Sequence, residues 1–222
     1  MIEYPVLAFD TCGDTGTVAL VDLGHDAVTV TCIAHIELGG RAASAQLMPA
    51  ITALLRDSGL DLQAIRALVV VNGPGSFTGI RVGLSTAKGL AHAAAIPIVA
   101  LSRLFVLDSL IHTPGDVLAL LDAGRNEFYA RRAEREWLAS FAEIAAAAEA
   151  SISLIVAEAE VANRFAAWRP EQVGALDAFA AARAALPRLR AGVQEDLSTL
   201  DANYLRRSDA ELFARSARNL TQ

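Results

Sequence analysis

Short apolar runs and longer segments of helical period alternate along this chain, and the first hundred residues carry the clearer pattern. Val6–Phe9, Thr17–Asp22 and Ala27–Ile36 read as three successive strands. Gly13, Asp14 and Gly16 supply the first turn and Gly24-His25-Asp26 the second, so the expected arrangement is an antiparallel meander. Gly39-Gly40 breaks into a helix from about Ser44 to Ser58, with Leu47, Ile51, Leu54 and Leu55 along one side and Pro49 near its first turns. Leu68–Val71 is an unbroken apolar run rich in β-branched residues, the pattern of a strand covered on both faces. A glycine loop, Gly73–Gly79, leads into a helix from about Ile80 to Ala95, which Ile96-Pro97 stops because proline disfavours helix in the residue before it. A short strand, Pro97–Leu101, closes a βββαβα half.

The second half repeats the plan less distinctly. Ser102–Ile111 reads as a helix with Ser102 as N-cap, and Pro114-Gly115 breaks it. Val117–Leu121 is a buried strand, and Phe128-Tyr129 begins another after a turn, a hairpin that partly echoes the first. Ala139–Ala150 is read as helix, Ile152–Val156 as strand, and Glu158–Trp168 and Leu176–Leu186 as helices, the last ended or kinked by Pro187. In the tail, Arg206 and Arg207 have two readings, a reach to a phosphate and, the one expected, pairing in solvent with Asp201, Asp209 and Glu211. No Pro-, Ser- or Gln-rich linker separates the halves, so residues 1–101 and 102–222 are read as two lobes packed directly on each other.

The helix after the glycine loop is more apolar than one sheet requires. Arg81, Ser85, Lys88 and His92 fall on one narrow polar stripe, and nearly everything else is apolar or small. A helix covering a single sheet needs an apolar arc of only about 100°. Gly83, Ala87 and Ala91 recur every four residues and would let another helix come close. Two readings stay open, a helix buried wholly in its own lobe and a helix with one side kept for a partner protein. On the second reading the partner-binding residues are Leu47, Met48, Ile51, Leu55, Val82, Gly83, Thr86, Ala87, Leu90 and Ala94. Gly83→Leu or Ala87→Glu would then abolish docking and leave the isolated fold intact.

Composition limits the remaining choices. The chain has 222 residues, 54% of them apolar and 20% charged, so an ample core is available, and its net charge of −6 argues against gripping nucleic acid alone. Cys12 and Cys32 lie in separate strand regions; with no leader-like start and no apolar run of membrane-spanning length, a cytoplasmic protein with reduced thiols is expected. His25, His35, His92 and His112 show no paired metal-ligand spacing, and Ser76 has no nucleophile elbow around it.

Strand, glycine loop and helix in succession can aim backbone N–H groups at an anion. Asp10, Thr11, Gly73, Gly75, Ser76, Thr78 and Gly79 are therefore a candidate phosphate loop. The spacing fits neither a Walker loop, since Ile80-Arg81 follows Gly79, nor a dinucleotide fingerprint. Its other reading is a compact turn that lets helix and strand pack closely. Asp10 and Asp122, each at a strand end, could face a cleft between the halves and serve a Mg-nucleotide.

The βββαβα order with an Asp-Thr turn after the first strand resembles the half-domain plan of the actin, Hsp70 and sugar-kinase (ASKHA) superfamily, which implies an α/β fold of two such lobes, the second degenerate. A more specific resemblance lies in the run Gly73-Pro-Gly-Ser-Phe-Thr-Gly-Ile-Arg-Val-Gly-Leu-Ser-Thr-Ala-Lys-Gly-Leu-Ala, which is similar to the signature of the TsaB (YeaZ) family. Leu7-Ala-Phe-Asp-Thr, Asp122–Tyr129 and Tyr204-Leu205-Arg206 resemble further segments of that family, with Cys12 in place of a serine and departures at Gly124 and Phe128. Ala43 stands where the family often has histidine, so no role of that histidine carries over.

The resemblance implies a non-catalytic scaffold or dimerization subunit without metal or catalytic residues of its own. It would bind a TsaD-like catalytic subunit through helices of the first lobe, with a TsaE-like ATPase joining them. The assembly transfers threonylcarbamoyl from its adenylate to the adenosine beside the anticodon in tRNAs reading codons that begin with A. Transfer RNA would be met only through the complex, and an interface of roughly 600–1,500 Å² in total would serve. No cofactor is expected in the lone chain, with ATP or ADP and Mg weakly bound or dependent on the complex; the same patch would support a homodimer when the partner is absent. Two rivals remain: an actin-like ATPase or small-molecule kinase using the cleft of Asp10, the glycine loop and Asp122, and a peptidase.

Overall fold

The computed structural model describes residues 4–24, 29–39, 43–111 and 115–206. Its first sheet is built from β1 (Pro5–Asp10), β2 (Gly16–Leu23), β3 (Val30–Leu38), β4 (Ala67–Val71) and β5 (Ile98–Leu101), in the order β3-β2-β1-β4-β5. The first three strands form the antiparallel meander, while β4 joins β1 in parallel and β5 joins β4 in parallel. Every residue of β1 and β4 is buried, as a central strand without polar alternation requires. Helices α1 (Ala43–Asp57) and α2 (Phe77–Ala94) supply the crossovers and pack on the sheet and on each other.

The second sheet repeats this topology. Strands β6 (Val117–Gly124), β7 (Glu127–Arg132), β8 (Arg135–Ser140), β9 (Ser153–Val156) and β10 (Glu171–Gln172) run in the order β10-β9-β6-β7-β8, the first sheet's order read from the other end. Helices α4 (Phe141–Glu149) and α5 (Ala159–Arg164) take the places of α1 and α2. The copy is shorter, with β10 reduced to two residues. Its core is closed by Phe128, Phe141, Phe165 and Trp168, whose rings meet edge-on or stacked at 4.9–6.2 Å.

The last helix after each sheet crosses to the other. Helix α3 (Arg103–Ser109) follows the first sheet, yet its Leu104 and Leu107 pack with Ala119, Leu121, Tyr129 and Ile155 of the second. Helix α6 (Ala178–Arg190) follows the second sheet but lies across all five strands of the first, its alanines continuous with that core. A boundary at 101/102 thus separates the sheets but not the packing. Thr17, buried on β2, accepts a hydrogen bond from the Ala178 N–H at 2.8 Å, and Asp177 caps α6 through the Ala180 N–H. These contacts seat the start of the returning helix.

Several local expectations change. Helix α2 starts at Phe77, because Ser76 accepts from the Gly79 N–H and caps it, so Gly79 is helical and the loop is shorter than the sequence suggests. The strand β8 occupies 135–140, where only the helix from Ala139 was expected; a two-residue turn with Ala133 at φ 52° forms the hairpin, and Ser140 then opens α4 with a capping box to Glu143. Pro187 sits in the penultimate turn of α6 without ending it. The readings on His25, Ala27, His112, Arg207, Asp209 and Glu211 lie outside the described residues.

Candidate functional site

Two features of the first lobe bear on function, the cleft between the sheets and the outer side of α1 and α2. The cleft is floored by the β1–β2 turn. Asp10 is only 3% exposed; its Oδ1 accepts from the Cys12 N–H at 2.7 Å and its Oδ2 from Arg103 Nε at 3.3 Å. Thr11, also buried, donates its hydroxyl to the Gly79 carbonyl at 2.6 Å, and the Ser76 N–H donates to the Cys12 carbonyl at 2.7 Å. A Cβ at Gly75 would lie 2.2 Å from the Cys12 carbonyl oxygen, and one at Gly79 1.9 Å from that of Thr11. One at Gly83 would lie 2.5 Å from Thr11 Oγ1. The glycines of this stretch let α2 lie directly against the β1–β2 turn. The sequence-predicted phosphate loop is thus brought together, but Asp10 is taken up by the Cys12 N–H and Arg103, Thr11 and Gly79 by each other, and Gly75 by its approach to the Cys12 carbonyl; Ser76 is occupied as a cap, and Thr78 is exposed. The close-packing reading of the loop describes it.

Arg103, which the sequence reading passed over, is the charge at the centre of the cleft. It pairs with Asp10 from the first lobe and with Glu158 of the second at 3.8 Å, and its guanidinium abuts Gly13 so closely that a Cβ there would meet it at 2.7 Å. Burial works against this cation, but the charges of Asp10 and Glu158 outweigh it and hold its pKa above the ordinary value. Burial likewise lifts the Glu158 carboxyl, against the Asp122 N–H donated to it at 2.9 Å and against Arg103. The Cys12 thiol is pushed well up, by burial first and then by Asp10. Asp122 turns back to accept from the Gly124 N–H.

The actin-like plan implies a nucleotide in this cleft, a space of about 600 Å³. The residues do not fit a Mg-nucleotide. Asp10 is engaged by Arg103 and the turn, and Arg103 fills the position beside Gly13. Asp14, Asp122, Glu158 and Glu160 give the walls a negative sign. Among the described residues no group of three His, Cys, Asp or Glu side chains converges as a metal site.

The predicted partner-binding residues divide in two. Leu47, Ile51, Leu55, Gly83 and Ala87 are buried in the chain's own core, because α1 and α2 turn those sides to the sheet and to each other. Gly83→Leu and Ala87→Glu would therefore damage the fold itself, a correction to the expectation from sequence. Val82, Thr86, Leu90 and Ala94 are half-buried, and Met48 is 45% exposed. Beside them Ala45, Pro49 and Thr52 of α1 and Gly89 and Ala93 of α2 are exposed. Gly89 differs from the other glycines of α2, since a Cβ there would meet nothing within 4 Å. The side chains of Ala43 and Ser44 at the start of α1 lie outside the description.

The polar stripe of α2 faces the last described segment. Arg81 Nε donates to the Tyr204 hydroxyl at 2.9 Å, and its guanidinium lies 3.8 Å from the Phe77 ring centre. Asn203 bridges the lobes, with its N–H on the Asn72 carbonyl and its side chain on Glu136. Arg206 pairs with Glu127 of β7 at 2.5 Å. The Tyr-Leu-Arg resemblance was the one sequence signal for this segment.

Two sheets of the same order, with crossed helices α3 and α6 and a cleft between them, define a two-lobed protein of the actin-like ASKHA fold. The family model described as "TsaD: tRNA N6-adenosine threonylcarbamoyltransferase" matches residues 34–154, and the chain belongs to that family, in its TsaB (YeaZ) branch. The chain is 37% identical over 140 residues to the tRNA threonylcarbamoyladenosine biosynthesis protein TsaB of Haemophilus influenzae, a match covering 61% of this chain and 56% of the relative. It is 35% identical over 134 residues to the protein of the same description from Escherichia coli, covering 59% and 55%. The chain thus spans little more than half the length of these curated relatives. Among solved structures, one from Pseudomonas aeruginosa, described as an uncharacterized protein with similarity to peptidase YEAZ, superposes with TM-score 0.71 at 24% identity, over 92% of this chain and all of that one. YeaZ from the same organism gives 0.66 at 21%, over 91% and 100%. At those identities the two structures speak for the fold. Among the described residues no helix is long and apolar enough to cross a membrane.

Proposed function

We propose that this chain is a non-catalytic docking subunit in the formation of threonylcarbamoyladenosine in tRNA. In this reading the exposed strip of α1 and α2 seats a TsaD-type catalytic subunit, which a TsaE-type ATPase joins, and the lone chain uses no cofactor of its own. The observation that carries the reading is Gly89. A glycine inside a helix costs roughly 0.8–1.0 kcal/mol against alanine. Gly79 and Gly83 offset that cost through contacts inside the chain, whereas Gly89 faces open space between Thr86 and Ala93. A bare backbone flanked by the small side chains of Thr86 and Ala93 is what a second helix needs for close approach. The match to TsaB biosynthesis proteins supports tRNA modification as the setting.

Reconstitution tests it. A tagged TsaD-type subunit is mixed with the wild-type chain and with Met48→Glu, and capture and threonylcarbamoyladenosine formation are measured together. Met48→Glu is expected to keep its melting temperature while losing both. Full capture and full product with the variant would remove the strip from the interface. Modification activity by the wild-type chain without any partner would remove the scaffold reading altogether.

A further inference from the structure

Phe77 and Tyr204 are two large side chains that remain on the surface, at 44% and 38% exposed, and they stand against each other with ring centres 5.2 Å apart. They lie far apart in the sequence and are held by a third residue: Arg81 lies over the Phe77 ring and hydrogen-bonds the Tyr204 hydroxyl. The pair is therefore a propped, rigid platform, not two stray apolar residues. It borders a pocket of about 270 Å³ between the start of α2, the β6–β7 turn and residues 203–206.

The opposite wall is cationic. Arg125 and Arg206 line it. Arg206 Nη2 is committed to Glu127 and to the Gly124 carbonyl, but its Nε is buried with no partner, the one such side-chain atom among the described residues. A buried N–H of a charged group left unsatisfied is costly and marks a place where an acceptor belongs. Arg125 and Arg206 thus line the pocket and Arg81 backs its aromatic rings, on a chain whose net charge is −6.

We infer that this pocket binds one nucleotide unit, with a base stacked on the Phe77–Tyr204 platform and a phosphate oxygen accepting from Arg206. The volume lies just below the ~300–1,000 Å³ of drug-sized sites and suits a base and one phosphate rather than a triphosphate. Aromatic platforms beside arginines take unpaired nucleotides without demanding a particular base, because every base has a π face. An unpaired nucleotide of RNA and a free nucleoside monophosphate share this chemistry. The inference rests on the tRNA-modification reading for its biological sense, but the pocket is separate from the docking strip, since Arg81, Ser85 and Lys88 lie between it and Gly89 along α2.

The test uses the full chain, alone and mixed with the TsaD-type subunit, and a short fluorescent single-stranded RNA read by anisotropy. Phe77→Ala should weaken binding by about 5- to 150-fold, the range for loss of one stacked base. Arg206→Gln should lower the dependence of log affinity on log salt by about 0.7, one phosphate contact on a single strand. Displacement by AMP assigns the site to a free nucleotide; RNA binding that AMP does not displace assigns it to RNA, and either supports the pocket. No binding in both settings, or binding indifferent to both variants, overturns it. Loss of partner capture by Phe77→Ala with no RNA bound overturns it too and gives the rings to a protein interface. Capture retained by Phe77→Ala but lost by Met48→Glu keeps the two surfaces, and the fates of the two proposals, distinct.

Discussion

Replacing Gly89 separates what α2 does for the fold from what it does for a partner. The residue lies well inside an 18-residue helix with ordinary helical backbone, and a methyl group placed on it meets no atom within 4 Å. Gly89→Ala therefore loses no contact and restricts the unfolded chain, which should stabilise the protein by about 0.8–1.0 kcal/mol. For a chain of this size that is a rise of about 2–4 °C in melting temperature, readable by circular dichroism or calorimetry. Gly89→Leu should melt at or above the wild type, since leucine too is a better helix former than glycine and meets open space, yet block close approach of a second helix and lower capture of the TsaD-type subunit. Gly83→Leu is the contrast: its side chain would collide with Thr11 and should lower the melting temperature steeply in the isolated chain. A Gly89→Ala variant that melts below the wild type would refute the open-space reasoning. Undiminished capture by Gly89→Leu would refute the role given to this glycine.

Other outcomes follow from the cleft. Arg103→Ala strands the buried Asp10 carboxylate, and breaking such a pair costs about 3–5 kcal/mol, so the melting temperature should drop by roughly 6–20 °C; a change within a degree or two would mean the bridge contributes little. Burial raises the folded-state pKa of Glu158, so the folded chain holds that proton more tightly than the unfolded one, and the stability this contributes is present below about pH 4.3 and lost as pH rises through the raised value. Glu158→Gln removes that loss, so relative to wild type its melting temperature should improve between pH 4 and 7; a constant difference across that range would count against a lifted carboxyl.

Much of the first lobe was legible because strands covered on both faces leave no polar alternation, and Leu68–Val71 could hardly be anything else. The strand β8 was not legible: Arg135-Glu136-Trp137-Leu138 alternates weakly, and the alanines that follow drew the helix forward. The crossing of α3 and α6 leaves no local trace, since Leu104 or Ala181 looks equally apolar whichever sheet it covers. The wide apolar arc of α2 was legible, but periodicity could not say which part of it the chain's own core takes. Contact geometry narrows the candidates: Gly83 and Ala87 lie in the core, Val82, Thr86, Leu90 and Ala94 stay half-buried, and Gly89 and Ala93 are exposed beside them. The glycines of the loop left two readings open for a related reason: a glycine kept for close packing and one kept for a ligand are identical on paper. Arg103 and the bridge from Asn203 to Arg206 act across 67 to 93 residues of sequence, beyond any window of pattern.

Photo-crosslinking compares the docking strip with a matched surface. A crosslinking residue placed at Met48, 45% exposed, and another at Val193, 39% exposed on the segment that follows α6, are each irradiated with the TsaD-type subunit present. A covalent adduct from position 48 and none from position 193 is the predicted result. Equal adducts from both, or an adduct from 193 alone, would contradict docking through α1 and α2.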